Sequence, residues 1–135
     1  METINFIKMH GLGNDFVIID KRIKNIEITK DLINKLSDRK SGAGCDQLIT
    51  INPTKEINIH AHIEIFNPNG DKAEACGNGT RCVAKLLFDE FKLNEIQILS
   101  DVGILNAKKI DLNNISVNLG KISTHWKKIP LSKEV

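Results

Sequence analysis

Between Asn78 and Phe91, apolar side chains fall on most of the circumference of a helix. Cys82, Val83, Ala84, Leu86, Leu87, Phe88 and Phe91 span a wide arc, and only Arg81, Lys85, Asp89, Glu90 and Lys92 are clearly polar. A surface helix needs one apolar stripe; an arc this wide demands a helix enclosed by other elements. The remaining chain supplies the wrapping. Ile57 to Phe66 alternates Ile57, Ile59, Ala61, Ile63 and Ile65 with Asn58, His60, His62 and Glu64, the period of a strand with one face buried. Phe16 to Asp20 is apolar enough for a strand buried on both faces. Further strands are expected over 4–9, 47–51, 96–99, 104–110 and 115–119, with turns at Gly11–Asn14, Ser41–Gly44 and Asn67–Gly70. Thr29 can cap a second helix over 30–39, whose apolar stripe is Leu32, Ile33 and Leu36. Strands and helices do not alternate regularly, so a doubly wound parallel sheet is not expected. The pattern predicts an α+β domain with many strands around one central helix and the second helix outside.

At 135 residues and 41% apolar composition, the chain suffices for one compact domain. Nineteen basic residues are interspersed with seventeen acidic ones, which is not the footprint of a nucleic-acid binder. No apolar run is long enough to cross a membrane, and Met1 to Phe6 lacks a secretory pattern, so a cytoplasmic location is expected. In that setting the three cysteines, Cys45, Cys76 and Cys82, are not expected to form structural disulfides. Their spacing does not suit zinc, and His60 with His62 lacks a third ligand, so no metal site is expected and the two histidines read as a solvent-facing pair.

The chemistry concentrates in Glu74-Ala75-Cys76-Gly77-Asn78-Gly79-Thr80-Arg81-Cys82. Cys76 stands just before the central helix, where free amides and the macrodipole favour negative charge such as a thiolate. Gly77 and Gly79 leave backbone amides open to a ligand carboxylate. The local pattern leaves equally open that Cys76 merely starts a helix and the glycines merely turn. Cys82, on the helix, reads as core, and packing is the default for Cys45. Gly11-Leu12-Gly13-Asn14 lacks the third glycine and the following helix of a dinucleotide site; it reads as a turn in which Asn14 could meet a polar ligand.

Four segments then occur in order: Met9-His10-Gly11-Leu12-Gly13-Asn14-Asp15-Phe16, Cys45-Asp46-Gln47, Phe66-Asn67 and Ala75 to Cys82. Together they closely resemble the N-terminal half of the diaminopimelate epimerases, over about residues 4–120. The resemblance implies a curved mixed sheet wrapped around a central helix, in keeping with the enclosed helix read above. It also implies bacterial enzymes of lysine and peptidoglycan precursor synthesis that interconvert LL- and meso-diaminopimelate without pyridoxal phosphate or metal. In that scheme two cysteines, one from each of two similar domains, act as acid and base on opposite faces of the substrate α-carbon. Cys76 matches the N-terminal catalytic cysteine. Asn14, Gln47 and Asn67 match substrate-contacting positions, and Gly77 and Asn78 match the loop that holds substrate at the helix start.

The departures are instructive. Pro68-Asn69-Gly70 replaces the family's more usual Ala-Asp-Gly after Asn67, and Ser100 to Gly103 strays from the usual pattern. Members of the family are about twice as long, and neither Cys45 nor Cys82 matches the second catalytic cysteine. The expectation is an N-terminal epimerase-like domain over 1–122, with 123–135 a tail or the start of a linker to a missing C-terminal domain. Such a chain supplies half an active site and takes diaminopimelate as substrate, with no nucleic-acid or membrane partner. The alternatives are a related two-cysteine racemase, or a catalytically incomplete binding or assembly half, including a homodimer.

Overall fold

The computed structural model describes residues 3–74 and 76–120. Eight strands form one mixed sheet: β1 (Ile7–Gly11), β2 (Asn14–Asp20), β3 (Gln47–Asn52), β4 (Ala61–Phe66), β5 (Lys72–Ala73), β6 (Glu95–Ser100), β7 (Gly103–Lys109) and β8 (Ile115–Asn118). Their spatial order is β1-β2-β3-β4-β6-β7-β8, with the short β5 paired to β4. The β2–β3 and β4–β6 pairs are parallel and the others antiparallel. Helix α1 (Lys30–Ser37) lies between β2 and β3 in sequence, and α2 (Gly77–Phe91) between β5 and β6. Helix α2 touches β1 and β2 at one end of the sheet and β6, β7 and β8 at the other. A flat sheet could not reach it from both ends, so the sheet is curled around the helix.

The two faces of the sheet follow from the period of two along each strand. Phe16, Ile18, Ile49, Ile51, Ile63 and Ile65 point inward with Val83, Leu87 and Phe88 of α2. Val17, Ile19 and Leu48 point outward and are covered by Ile33 of α1 and by Cys45. β2 is therefore buried on both faces, as its apolar run requires. Each fully buried Leu or Ile in these layers contributes about 1.5–3 kcal/mol by leaving water. Thr29 caps α1, its side chain accepting the Leu32 amide at 3.1 Å. Helix α2 ends at Lys92, which takes the left-handed conformation at φ 56° and returns its amide to Phe88 O.

Several segments differ from the sequence reading: β1 runs over Ile7–Gly11 rather than 4–9, α1 ends at Ser37 rather than at residue 39, and three others differ more in kind. The strand expected from Ile57 begins at Ala61. The alternation runs through Ile57, but Asn58 adopts φ 68°, a conformation Asn tolerates, and Ile57 is 88% exposed in the turn. Pairing starts where β6 is within reach, with the His60 amide donating to Gln97 O at 2.9 Å. His60 is consequently not half of a solvent-facing pair. Its Nδ1 accepts the Gln97 amide at 3.0 Å, and its ring meets Phe91 edge-on with centroids 5.3 Å apart. Finally, the Gly11–Asn14 loop is tighter than expected. Gly11 and Asn14 pair across β1 and β2, leaving Leu12 and Gly13 as a two-residue turn with φ 56° and 83°. Two positive φ values in succession suit the right-handed twist of a hairpin, and they place an exposed Leu where Asn or Gly is more usual. The tail assigned to 123–135 lies outside the described residues.

Candidate active site

The strand directions bring the candidate residues to one end of the sheet. Because β2 and β3 are parallel, their first residues, Asn14 and Gln47, lie at the same end. β4 runs the other way, so Asn67, just past its last residue, joins them. Gln47 Nε2 donates to Asn67 Oδ1 at 3.1 Å, tying two of the candidates together. The start of α2 docks at the same end through Asn14.

Cys76 is the N-cap of α2, with extended backbone at φ −147° and ψ 106°. Its carbonyl accepts from the Thr80 amide at 2.9 Å and from Thr80 Oγ1 at 2.8 Å. Its sulfur has two polar neighbours of opposite kind. The Gly79 amide donates to Sγ at 3.4 Å, and the thiol donates to Asn14 Oδ1 at 3.7 Å. A donor stabilises the thiolate and an acceptor stabilises the thiol, so both protonation states find a partner. Cys76 is half-buried, whereas Cys45 and Cys82 are buried. Cys45 donates to Ser37 Oγ at 3.4 Å beneath α1, and burial pushes the Cys82 thiol above its ordinary pKa. Both read as packing residues, as their sequence positions suggested.

Asn78 Nδ2 donates to Asn14 Oδ1 at 3.3 Å, and Arg81 donates to Asn78 Oδ1. Asn14, Cys76 and Asn78 thus form one cluster, with Gln47 and Asn67 a second pair at the same end. A Cβ on Gly77 would lie 3.5 Å from the Arg81 guanidinium and 3.4 Å from Leu119, ordinary contacts that leave room for a side chain. Gly79 plays a different part from the one expected. It is buried, and a Cβ there would meet Ile49 Cδ1 at 2.7 Å and Phe16 Cε1 at 3.2 Å. It is glycine so that the first turn of α2 can lie against the sheet, while its amide serves Cys76. Among the described residues no group of three metal-ligating side chains gathers, and no helix is long and apolar enough to cross a membrane.

A network that the sequence reading missed braces the site. Arg39 clasps Asp15 through both terminal guanidinium nitrogens at 2.7 and 2.9 Å and reaches Asp46 at 2.9 Å. Asp46 Oδ2 accepts from Asn14 Nδ2 at 2.8 Å and from the Asp15 amide at 3.0 Å. Lys8 adds a second cation to Asp15 at 2.8 Å and also bonds Gly44 O. Asp15 and Asp46 sit beside Asn14 and Gln47 in the quoted segments, which was the available signal; Arg39 lies in no motif.

The Arg39 guanidinium, with Lys8 behind it, holds the Asp15 carboxyl far below the ordinary carboxylate range. A carboxyl whose folded pKa is depressed adds stability above its unfolded value and loses it as pH falls toward the folded one. Below about pH 4, close to the ordinary value of 3.8, the unfolded chain binds a proton that the folded chain refuses. Asp15→Asn is therefore expected to lower Tm at neutral pH and to flatten the acid limb of a Tm-against-pH curve. An acid limb as steep as the wild type would show that Asp15 does not set it.

Comparison with known proteins bears on the family and the fold. A family model described as diaminopimelate epimerase matches residues 6–125. A diaminopimelate epimerase of Pelagibacter ubique is 48% identical over 132 residues, covering 98% of this chain and 47% of that protein. One from Rhizorhabdus wittichii is 42% identical over 130 residues, covering 96% of this chain and 44% of that protein. The chain thus spans about half the length of the curated relatives it matches. Among solved structures, a hydroxyproline epimerase from Agrobacterium vitis superposes with a TM-score of 0.60 at 14% identity, over 83% of this chain and 40% of that one. A methylitaconate-delta-isomerase gives 0.62 at 14% identity, over 83% and 62%. At such low identities these two likenesses speak for the fold alone, a curled mixed sheet around a central helix. On the family match and the identities to its relatives, the chain belongs to the diaminopimelate epimerase family.

Proposed function

We propose that this chain supplies one half of the active site of a cofactor-independent amino-acid epimerase that converts LL- to meso-diaminopimelate. The observation that carries the proposal is the half-buried Cys76 sulfur at the start of α2, with a hydrogen-bond donor and an acceptor both facing it. In this reading Cys76 is one of two acid/base thiols. As thiolate it takes the α-proton from one face of the substrate. A second thiol, from the half of the protein that this chain does not span, returns a proton to the opposite face. The α-carbon is inverted, one sulfur has gained a proton and the other has lost one. Cys45 and Cys82 are buried, which leaves the second thiol to come from elsewhere.

The same reading gives Asn14, Gln47 and Asn67 to polar substrate groups, and Gly77 and Asn78 to the α-carboxylate at the helix start. An amino-acid α-proton is very weakly acidic, so the site must hold the developing carbanion by preorganised donors and exclude water. Helix-start amides beside the carboxylate serve the first need, and closure of a second domain over this face serves the second. We assign the reaction to the cytoplasm of a bacterium, as part of lysine and peptidoglycan precursor synthesis.

Proton NMR of LL-diaminopimelate in D₂O tests the proposal. The chain is mixed with the separately produced C-terminal half of the Pelagibacter ubique relative. Loss of the α-proton signal and growth of the meso isomer are expected with both halves present. A folded complex of the two halves that forms no meso isomer would overturn it.

A further inference from the structure

We propose that Asp46 is a positioning residue for Cys76: its carboxylate fixes which end of the Asn14 side-chain amide faces the sulfur. The inference rests on the reading of Cys76 as an acid/base thiol and concerns how that thiol is set.

A carboxamide has two chemically opposite ends, an oxygen that accepts and an NH₂ that donates, and they occupy nearly the same shape. Which end faces a neighbour is decided by partners that can play only one part. Here two such partners close a chain of amides. Arg81, which can only donate, takes Asn78 Oδ1. Asn78 must then offer its NH₂ to Asn14 Oδ1, at 3.3 Å. Asp46, whose ionised carboxylate can only accept, takes Asn14 Nδ2 at 2.8 Å. Every bond runs in one direction from the guanidinium to the carboxylate, and turning either amide breaks two of them.

The carboxylate is itself held. Arg39 donates to Asp46 Oδ1 at 2.9 Å, and the Asp15 amide donates to Oδ2 at 3.0 Å. The Asp46 amide returns to the Asp15 side chain at 2.9 Å. The Asn14 amide is the foremost of the groups that keep the Asp46 carboxyl below its ordinary range, so it stays ionised at neutral pH.

The consequence falls on the sulfur. With Asn14 fixed by Asp46, the Asn14 group within 3.7 Å of Sγ is an acceptor, which holds the thiol form, opposite the Gly79 donor at 3.4 Å, which holds the thiolate. Reversing Asn14 would put donors on both sides and favour the thiolate alone. Asp46 thereby keeps Cys76 able to act as acid as well as base, from two hydrogen bonds away.

The test reads the sulfur directly and needs no turnover. Asp46→Asn keeps the shape but converts one oxygen to a donor. Where the remaining oxygen stays with Arg39, the new NH₂ faces Asn14 and turns it, at the expense of the bond from the Asp15 amide. The rate at which iodoacetamide alkylates Cys76 is followed across the neutral to alkaline range, by mass spectrometry of the tryptic peptide 73–81, which excludes Cys82. The expected result is a rate about tenfold higher at neutral pH, converging with wild type where the thiolate is fully formed. Arg39→Gln is the control for loosening: it removes the brace but leaves the carboxylate, and its rate should stay within about twofold of wild type. In parallel, NOEs from the Asn14 side-chain amide protons should run to Asp46 in the wild type and to Cys76 in Asp46→Asn. An unchanged profile in Asp46→Asn, an equal acceleration in Arg39→Gln, a gain at every pH, or wild-type NOEs to Cys76 would each overturn the proposal. Failure of the epimerase reading would appear in the two-half NMR assay and leave these readouts untouched.

Discussion

Cys76→Ser, assayed with the C-terminal half present, is expected to lower conversion of LL- to meso-diaminopimelate by about 10²–10⁴-fold, the usual worth of a positioned acid/base group. Serine is the more informative substitution because it is a preferred helix N-cap. It can accept the Gly79 amide as the sulfur does at 3.4 Å, so α2 keeps its start and the fold is not at issue. What disappears is the accessible anion, since a hydroxyl is far harder to deprotonate than a thiol. Cys76→Ala should be equally inactive and slightly less stable. In D₂O either variant should still exchange the α-proton of the isomer that faces the remaining thiol, without inverting it. The loss would then be of one face of the reaction rather than of substrate binding. Turnover within about tenfold of wild type in Cys76→Ser would remove Cys76 from the mechanism.

The parts of this site that were legible in the sequence are those encoded locally. The wide apolar arc of Cys82 to Phe91 required an enclosed helix, and α2 is enclosed. Thr29 announced α1, and the strand patterns placed β3 and β6 to β8 within a residue and β2 within two. The ordered segments around Asn14, Gln47, Asn67 and Cys76 identified the family. What was not legible depends on pairing across the sheet. Arg39 meets Asp15 24 positions away, and Asp46 meets Asn14 32 positions away. Those contacts exist because β2 and β3 run parallel, a choice that neither strand states alone. Gly79 was ambiguous for a related reason. A glycine beside a candidate nucleophile can expose an amide to a ligand or let a helix approach a sheet, and only the position of Phe16 and Ile49 decides. The false start of β4 at Ile57 shows the converse: alternation proposes a strand, but a partner strand decides where it begins.

The contact between Phe16 and Gly79 carries the largest expected effect on stability. Phe16 is fully buried, and its ring lies under the first turn of α2 where the absence of a side chain at Gly79 admits it. Phe16→Ala should cost about 3–5 kcal/mol, through lost transfer energy and the cavity left behind. Against a typical total of about 5–15 kcal/mol, that is a large share of the stability of a domain this size. With a urea m-value of about 1–3 kcal/mol/M, the unfolding midpoint should fall by more than about 1 M. Gly79→Ala errs the other way. Its methyl would stand 3.2 Å from the Phe16 ring and 2.7 Å from Ile49 Cδ1, so the Ile49 end must turn aside and the ring must give, or the helix start must lift. The cost is about 1–3 kcal/mol of overpacking. The two changes share one space and should therefore not add. In the Phe16→Ala background, the methyl at position 79 enters the vacated volume and is relieved of the ring, though not of Ile49. Urea titration of the two single variants and the double should give a double-mutant cost smaller than the sum of the singles by more than about 0.5 kcal/mol. Strict additivity would mean that the helix start does not rest on Phe16, and with it the account of how Cys76 is held against Asn14 would lose its foundation.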